Sequence, residues 1–210
     1  MGTFSKGTIE RLKLHVFEGK SSADVFSEMF KELTSDLERA RADASSPDDQ
    51  YHRRAYLRSF FSYSEAILFR LKQYLLDQSA VLKISITDNE KLVLDEHKVE
   101  MQADGTLQRK DLMPNHKTNV MFTLKFISRK LDLDRQSDFG NNGWREYCTA
   151  LEKRHALTHP KFPSDLTISD EELLNLRNAD AWLQGEFTAL FNNFASKLRE
   201  AQSGAASVNE

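Results

Sequence analysis

The stretch RHALTHPK, Arg154 to Lys161, sets an arginine and two histidines within six residues and follows them with a proline. An imidazole titrates near neutral pH and can accept or return a proton, whereas a guanidinium stays charged and can stabilise negative charge on a phosphorane. Facing RNA, that pair would suffice for metal-free cleavage. The 2′-hydroxyl of the substrate serves as nucleophile and leaves a cyclic phosphate. Pro160 disfavours helical angles at His159, so the helix carrying Arg154 is predicted to end near Thr158, with His159 opening the exit turn. Residues five apart on a helix point about 140° away from each other, and the break lets His159 swing back toward Arg154.

Other readings of the same residues stand beside this one. Lys153, Arg154 and His155 near a helix C-terminus meet the macrodipole favourably, with no further role required. His155 and His159 also have the spacing of two metal ligands, but Ala156 stands where an H-E-x-x-H hydrolase needs glutamate, and only Asp165 offers itself as a third ligand. No metal is expected. His155 is expected to lie against the apolar face formed with Tyr147 and Leu151. No Gly-rich phosphate loop, Ser-His-Asp order or dinucleotide fingerprint occurs, and no cofactor is expected.

The elements that must position these groups read as helices. From Ser22, the residues Val25, Phe26, Met29, Phe30, Leu33 and Leu37 recur at three-to-four spacing up to the loop signal ADASSPDDQ. Leu57, Phe60, Phe61, Ser64, Ile67, Leu68, Leu71, Tyr74 and Leu75 form a stripe of period seven ending near Gln78. On one flank of it lie Arg54, Arg58, Glu65 and Lys72, either a salt-bridge ladder or a functional line. Apolar Phe61 and Leu68 would partly bury Glu65, which then needs a cationic partner, and Arg154 is the candidate. Thr87 and Glu90 have capping-box spacing and open a short helix of about three turns. Val99 and Met101 before Asp104-Gly105, with Leu107 after it, signal a β-hairpin. Val120 to Leu131, Trp144 to Thr158, and a long helix opened by Ser169 and Glu172 complete the set. His15, His52, His97 and His116 fit none of these patterns and are expected at the surface.

With 8 Gly and 4 Pro in 210 residues, the chain lacks the turns of a β-sandwich, and an all-α domain over 1–202 with a frayed tail at 203–210 is expected. A net charge of −3 provides no global field for a polyanion, so RNA would have to meet a local basic patch. The single Cys148 excludes an intramolecular disulfide framework and suits a reducing compartment. No apolar run approaches the roughly 20 residues that cross a bilayer, and the start MGTFSKGTIERLKLH has no apolar signal core. The expectation is a cytoplasmic protein without membrane contact.

RHALTHP at the end of the penultimate helix resembles the R-x4-6-H signature of the HEPN superfamily (higher eukaryotes and prokaryotes nucleotide-binding). A long second helix carrying Glu65 and a last long helix opened by LTISDEELLNLRNADAWL are similar to that family's layout; the hairpin is an addition to its minimal bundle. The resemblance implies a homodimer whose two motifs share one cleft, and a metal-independent endoribonuclease of the kind found among toxins, antiphage defence effectors and RNA-processing factors. A cognate antitoxin or regulatory protein is then an expected partner. Arg154 would stabilise the phosphate, His159 would transfer the proton, and Glu65 would orient one of them. His155, Lys161 and Arg58 are added as substrate-binding candidates. Other members of the family are catalytically silent and bind nucleotides or partner proteins, which is the alternative function.

Overall fold

The computed structural model describes residues 22–45, 49–134 and 136–206. His15, Pro47 and residues 207–210 of the expected tail lie outside them. Six α-helices are present among the described residues: α1 (Ser22–Asp43), α2 (Gln50–Gln78), α3 (Asp88–Leu94), α4 (His116–Lys130), α5 (Asn142–Thr158) and α6 (Asp170–Ala206). Strands β1 (His97–Met101) and β2 (Leu107–Asp111) intervene between α3 and α4, and a 3-10 turn (Pro163–Leu166) precedes α6. The fold is mostly helical with one small antiparallel sheet.

Local chemistry sets the helix starts. Asp49 caps α2 by accepting from the His52 N–H at 3.0 Å, and Asn141 caps α5 by accepting from the Trp144 N–H at 2.9 Å. The two expected capping boxes form. Thr87 Oγ1 and the Glu90 carboxylate exchange bonds with each other's backbone N–H, as do Ser169 and Glu172. Each satisfies N–H groups that a first turn leaves without partners. Helix α3 stops at Leu94, shorter than the three turns expected, because Glu96 takes a positive φ of 55° and turns the chain into β1.

The hairpin turn runs from Gln102 to Thr106, with the Gln102 carbonyl accepting from Gly105 N–H at 3.0 Å. Gly105, at φ +80°, occupies the left-handed position that such a turn requires. Val99 pairs with Arg109 and Met101 with Leu107. On the opposite face, Glu100 joins Lys98 at 2.5 Å and Lys110 at 2.6 Å. These ammonium groups, Lys110 first, lower the Glu100 pKa to about 2.

Helix α2 is the axis of the bundle. Helix α1 runs antiparallel to it, matching Phe26 with Tyr74 at one end and Arg41 with Asp180 and Tyr56 at the other. Helix α6 runs parallel to α2, pairing Tyr63 with Phe187 and Tyr74 with Phe194. Helix α5 lies antiparallel on α6, with Trp144 beside Trp182 and Lys153 bonded to Glu172 at 3.0 Å. Gly143 permits that approach, since a Cβ there would stand 2.5 Å from the Trp182 side chain. The core fills with Leu57, Phe60, Phe61, Ile67, Leu68 and Leu71 from α2 against Leu124 and Ile127 of α4 and Phe187 of α6.

Several polar side chains enter this core in hydrogen-bonded sets. Asp180, 1% exposed, accepts from Tyr56 Oη at 2.6 Å, from Arg41 Nε and Nη2 at 3.0 and 2.6 Å, and from Gln184 Nε2 at 2.7 Å. Lys72, also 1% exposed, donates to Glu96 at 2.6 Å and Asn119 at 2.9 Å. The flank read from the sequence therefore divides: Lys72 turns inward as a structural cation, Arg54 bonds the Leu166 carbonyl at 2.9 Å, and Arg58 is exposed. Removing one member of a buried charged set strands the others. Asp180→Ala should lower unfolding stability by about 3–5 kcal/mol, measured by urea denaturation, and Tyr56→Phe, which removes one donor of four, by only about 1–2 kcal/mol.

Candidate functional site

Helix α5 carries its buried side along Trp144, Tyr147, Ala150, Leu151 and Leu157. Arg154 lies seven residues after Tyr147, on the same line, and so emerges where the α2–α5 contact reaches the surface. Its Nη2 donates to Glu65 Oε1 at 2.6 Å, with the arginine side chain 30% and the glutamate 46% exposed. Its Cζ sits 5.4 Å from the centre of the Phe61 ring. The expected partnership between Arg154 and Glu65 is thus formed, on a platform supplied by α2.

A group not anticipated from the sequence completes the arrangement. His116, expected at the surface, has a side chain only 8% exposed. Its Nδ1 stands 3.4 Å from Glu65 Oε1, and its Nε2 meets the Tyr147 hydroxyl. Ser64 Oγ lies 3.0 Å from the same hydroxyl. A polar chain therefore runs from Arg154 at the surface through Glu65 and His116 to Tyr147 and Ser64 in the interior. Aromatic rings surround it: His116 and Trp144 both lie nearly parallel to Tyr147, the latter at 5.5 Å, and His116 meets Phe61 edge-on. The signal was present in the spacing, because the apolar stripe of α4 through Val120 and Leu124, extended back one turn, reaches position 116.

Electrostatics follow from these contacts. Hydrogen bonding by His116, with the Arg154 guanidinium adding to it, holds the Glu65 carboxyl below its ordinary pKa against the opposing effect of burial. Burial pushes the Tyr147 hydroxyl well above its ordinary range, so it remains a neutral donor or acceptor.

The remaining motif residues sit on the outside. Helix α5 ends at Thr158, and His159 leaves helical angles at φ −128°, ψ 62°, as Pro160 demands. His159 is exposed, and no hydrogen bond or ion pair joins its side chain to Arg154 or Glu65. His155 is exposed too, contrary to the expected packing with Tyr147 and Leu151: the face that α5 buries passes through 147, 150, 151 and 157 and leaves 155 on its outer margin. Lys161 is exposed; its backbone N–H and that of Phe162 donate to Asp165 Oδ2 at 2.7 and 2.9 Å. His52 and His97, also expected at the surface, are half-buried, the first on Asp49 and the second on the Asp95 carbonyl.

No known protein family, curated protein or solved structure matches the chain. Among the described residues, no group of three or more His, Cys, Asp or Glu side chains is disposed to hold a metal ion, and no helix is long and apolar enough to cross a membrane.

What the geometry offers is a half-open cation. Arg154 has spent Nη2 on Glu65 and keeps further N–H groups for an anion at the surface. A carboxylate with a lowered folded pKa adds stability that is complete above the ordinary carboxylate range and disappears as pH falls through the folded value. Glu65→Gln should therefore reduce stability at neutral pH by about 0.5–1 kcal/mol, the small figure reflecting its half-exposed side chain. The gap between variant and wild type, followed by urea unfolding across pH, should close as the solution is acidified.

Proposed function

We propose that the chain is a metal-independent endoribonuclease of HEPN type, cleaving RNA at a cleft that includes Arg154 and His159. The observation that carries this reading is the Arg154–Glu65 pair at 2.6 Å, a partly exposed guanidinium held on α2 one turn before the exit that presents His159.

In the reaction, His159 takes the proton of a substrate 2′-hydroxyl, whose oxygen attacks the adjacent phosphorus. The bond to the 5′-oxygen of the next nucleotide breaks, leaving a 2′,3′-cyclic phosphate and a free 5′-hydroxyl once a proton is returned. Arg154 stabilises the added negative charge on the phosphorane oxygens, where preorganised charge has its largest effect. Glu65 and the Phe61 ring fix the guanidinium before substrate arrives. The exposed Arg58 and Lys161 are the cations offered to the RNA backbone by a protein of net charge −3, with His155 as a further contact. The expected setting is the cytoplasm, within a toxin–antitoxin or antiphage system, with an antitoxin or regulatory protein controlling the enzyme.

The side-chain separation of His159 from Arg154 within the chain favours a second reading, a silent module that binds a nucleotide or partner protein through Arg154. Cleavage of mixed tRNA and mRNA in excess EDTA separates the two. For a ribonuclease, His159→Ala should slow cleavage by about 10²–10⁴-fold, the usual contribution of one acid–base group, and Arg154→Ala should abolish it. Wild-type protein no more active than either variant would refute the nuclease reading.

A further inference from the structure

Exposed apolar side chains gather where the segment after α5 meets the start of α2. Phe162 is 66% exposed, Leu166 41%, and Tyr51, one turn before Arg54, 66%. Arg54 holds the Leu166 carbonyl at 2.9 Å, and Gln50 exchanges bonds with the Ile168 backbone at 2.7 and 3.0 Å. At its other end the segment leaves α5 one turn after Arg154, which is tied to Glu65. The anchors Arg54 and Glu65 both lie on α2, about 16 Å apart at the helical rise. The chain between them therefore runs back along the stretch of α2 that bears the exposed Arg58.

Phe162 is held outward by a clamped turn. Asp165 Oδ2 accepts from the backbone N–H of Lys161 at 2.7 Å and of Phe162 at 2.9 Å, and the Asp165 N–H donates back to the Phe162 carbonyl at 3.0 Å. These bonds fix an extended Phe162, φ −134° and ψ 155°, at the entrance to the 3-10 turn. A ring kept in water forgoes the stabilisation that burial would give it. Lys161 precedes it in sequence and Arg58 lies on the facing stretch of α2, so a bare π-face and cations occur together. That combination fits a ligand with flat rings strung on a negative backbone.

We propose that Phe162 is the stacking platform for an unpaired nucleobase of the RNA, a specificity-determining contact that rests on the ribonuclease reading for the identity of its ligand. Phe162 stands three positions after His159, at most about 10 Å along an extended chain, so the stacked base belongs to a nucleotide next to the scissile bond. A base paired and stacked within a duplex has no free face to offer, whereas Arg58 and Lys161 can meet phosphates of either form. The ring, rather than the cations, then distinguishes unpaired from paired RNA.

The test is a fluorescence titration of the full-length F162W variant with a single-stranded 2′-O-methyl oligonucleotide, which lacks the nucleophile and reports binding without cleavage. Wild type, with Trp144 and Trp182, supplies the background. Emission from the variant should be quenched by the single strand, and not by the same sequence as a duplex or by an abasic strand of equal length. Phe162→Leu, apolar but without a π-face, should weaken binding of the single strand by at least about fivefold. It should raise KM for RNA by a similar factor at unchanged kcat, with F162W close to wild type in both. Quenching by the single strand without cleavage of RNA would sustain the stacking site and refute the ribonuclease reading. An F162W protein that is not quenched, or is quenched equally by the abasic strand, would overturn the platform whether or not it cleaves RNA. So would a change in sedimentation between wild type and Phe162→Leu, which would set the ring against a second copy of the chain.

Discussion

Helix α2 buries polar groups along its length, and three of them, Tyr56, Ser64 and Lys72, find partners on different neighbours. Tyr56 reaches Asp180 of α6, where Arg41 of α1 also arrives. Ser64 reaches Tyr147 of α5, itself bonded to His116 of α4. Lys72 reaches Glu96 at the end of α3 and Asn119 of α4. Apolar burial provides most of the driving force but is non-directional, and the leucine and phenylalanine faces of these helices could slide by a turn at modest cost. A buried hydroxyl or ammonium without its partner is far more costly, so these contacts fix the register in which the helices meet.

That constraint explains which parts of the structure were legible in the sequence. Helix periods, both capping boxes and the Asp104-Gly105 turn are local properties, and the elements they indicate are present. Lys72 and His116 were harder to read because their partners are distant in sequence: the α4 stripe reaches position 116, but nothing near it announces Tyr147, and nothing near Lys72 announces Glu96 and Asn119. For His155 the error was of angle, since a stripe including it differs by only a fraction of a turn from the one that α5 buries. Glu65 and Arg154 were legible as partners because a partly buried carboxylate beside Phe61 required a cation, and Arg154 was the cation that the opposing helix could deliver.

Two arginine–carboxylate pairs in the same bundle show why one reads as structure and the other as a site. Asp180 is 2% exposed along its side chain and accepts from Arg41, Tyr56 and Gln184, which leaves its oxygens occupied and its charge enclosed. Glu65 is 46% exposed and shares a single oxygen between Arg154 and His116. An anion approaching Arg154 thus meets a guanidinium that is already oriented and only partly neutralised, whereas an anion approaching Arg41 competes with a fully coordinated carboxylate.

The position of His116 adds a consequence for that site. Its two ring nitrogens are committed to Glu65 and Tyr147, so it is ill placed to exchange protons with a substrate and well placed to hold Glu65 as an anion. An ionised Glu65 keeps Arg154 extended over Phe61. His159, by contrast, is exposed in the exit turn after α5. Burial alone separates the two histidines, because a ring whose hydrogen-bonding capacity is exhausted within the folded protein orients its neighbours, whereas an exposed ring keeps that capacity for a ligand.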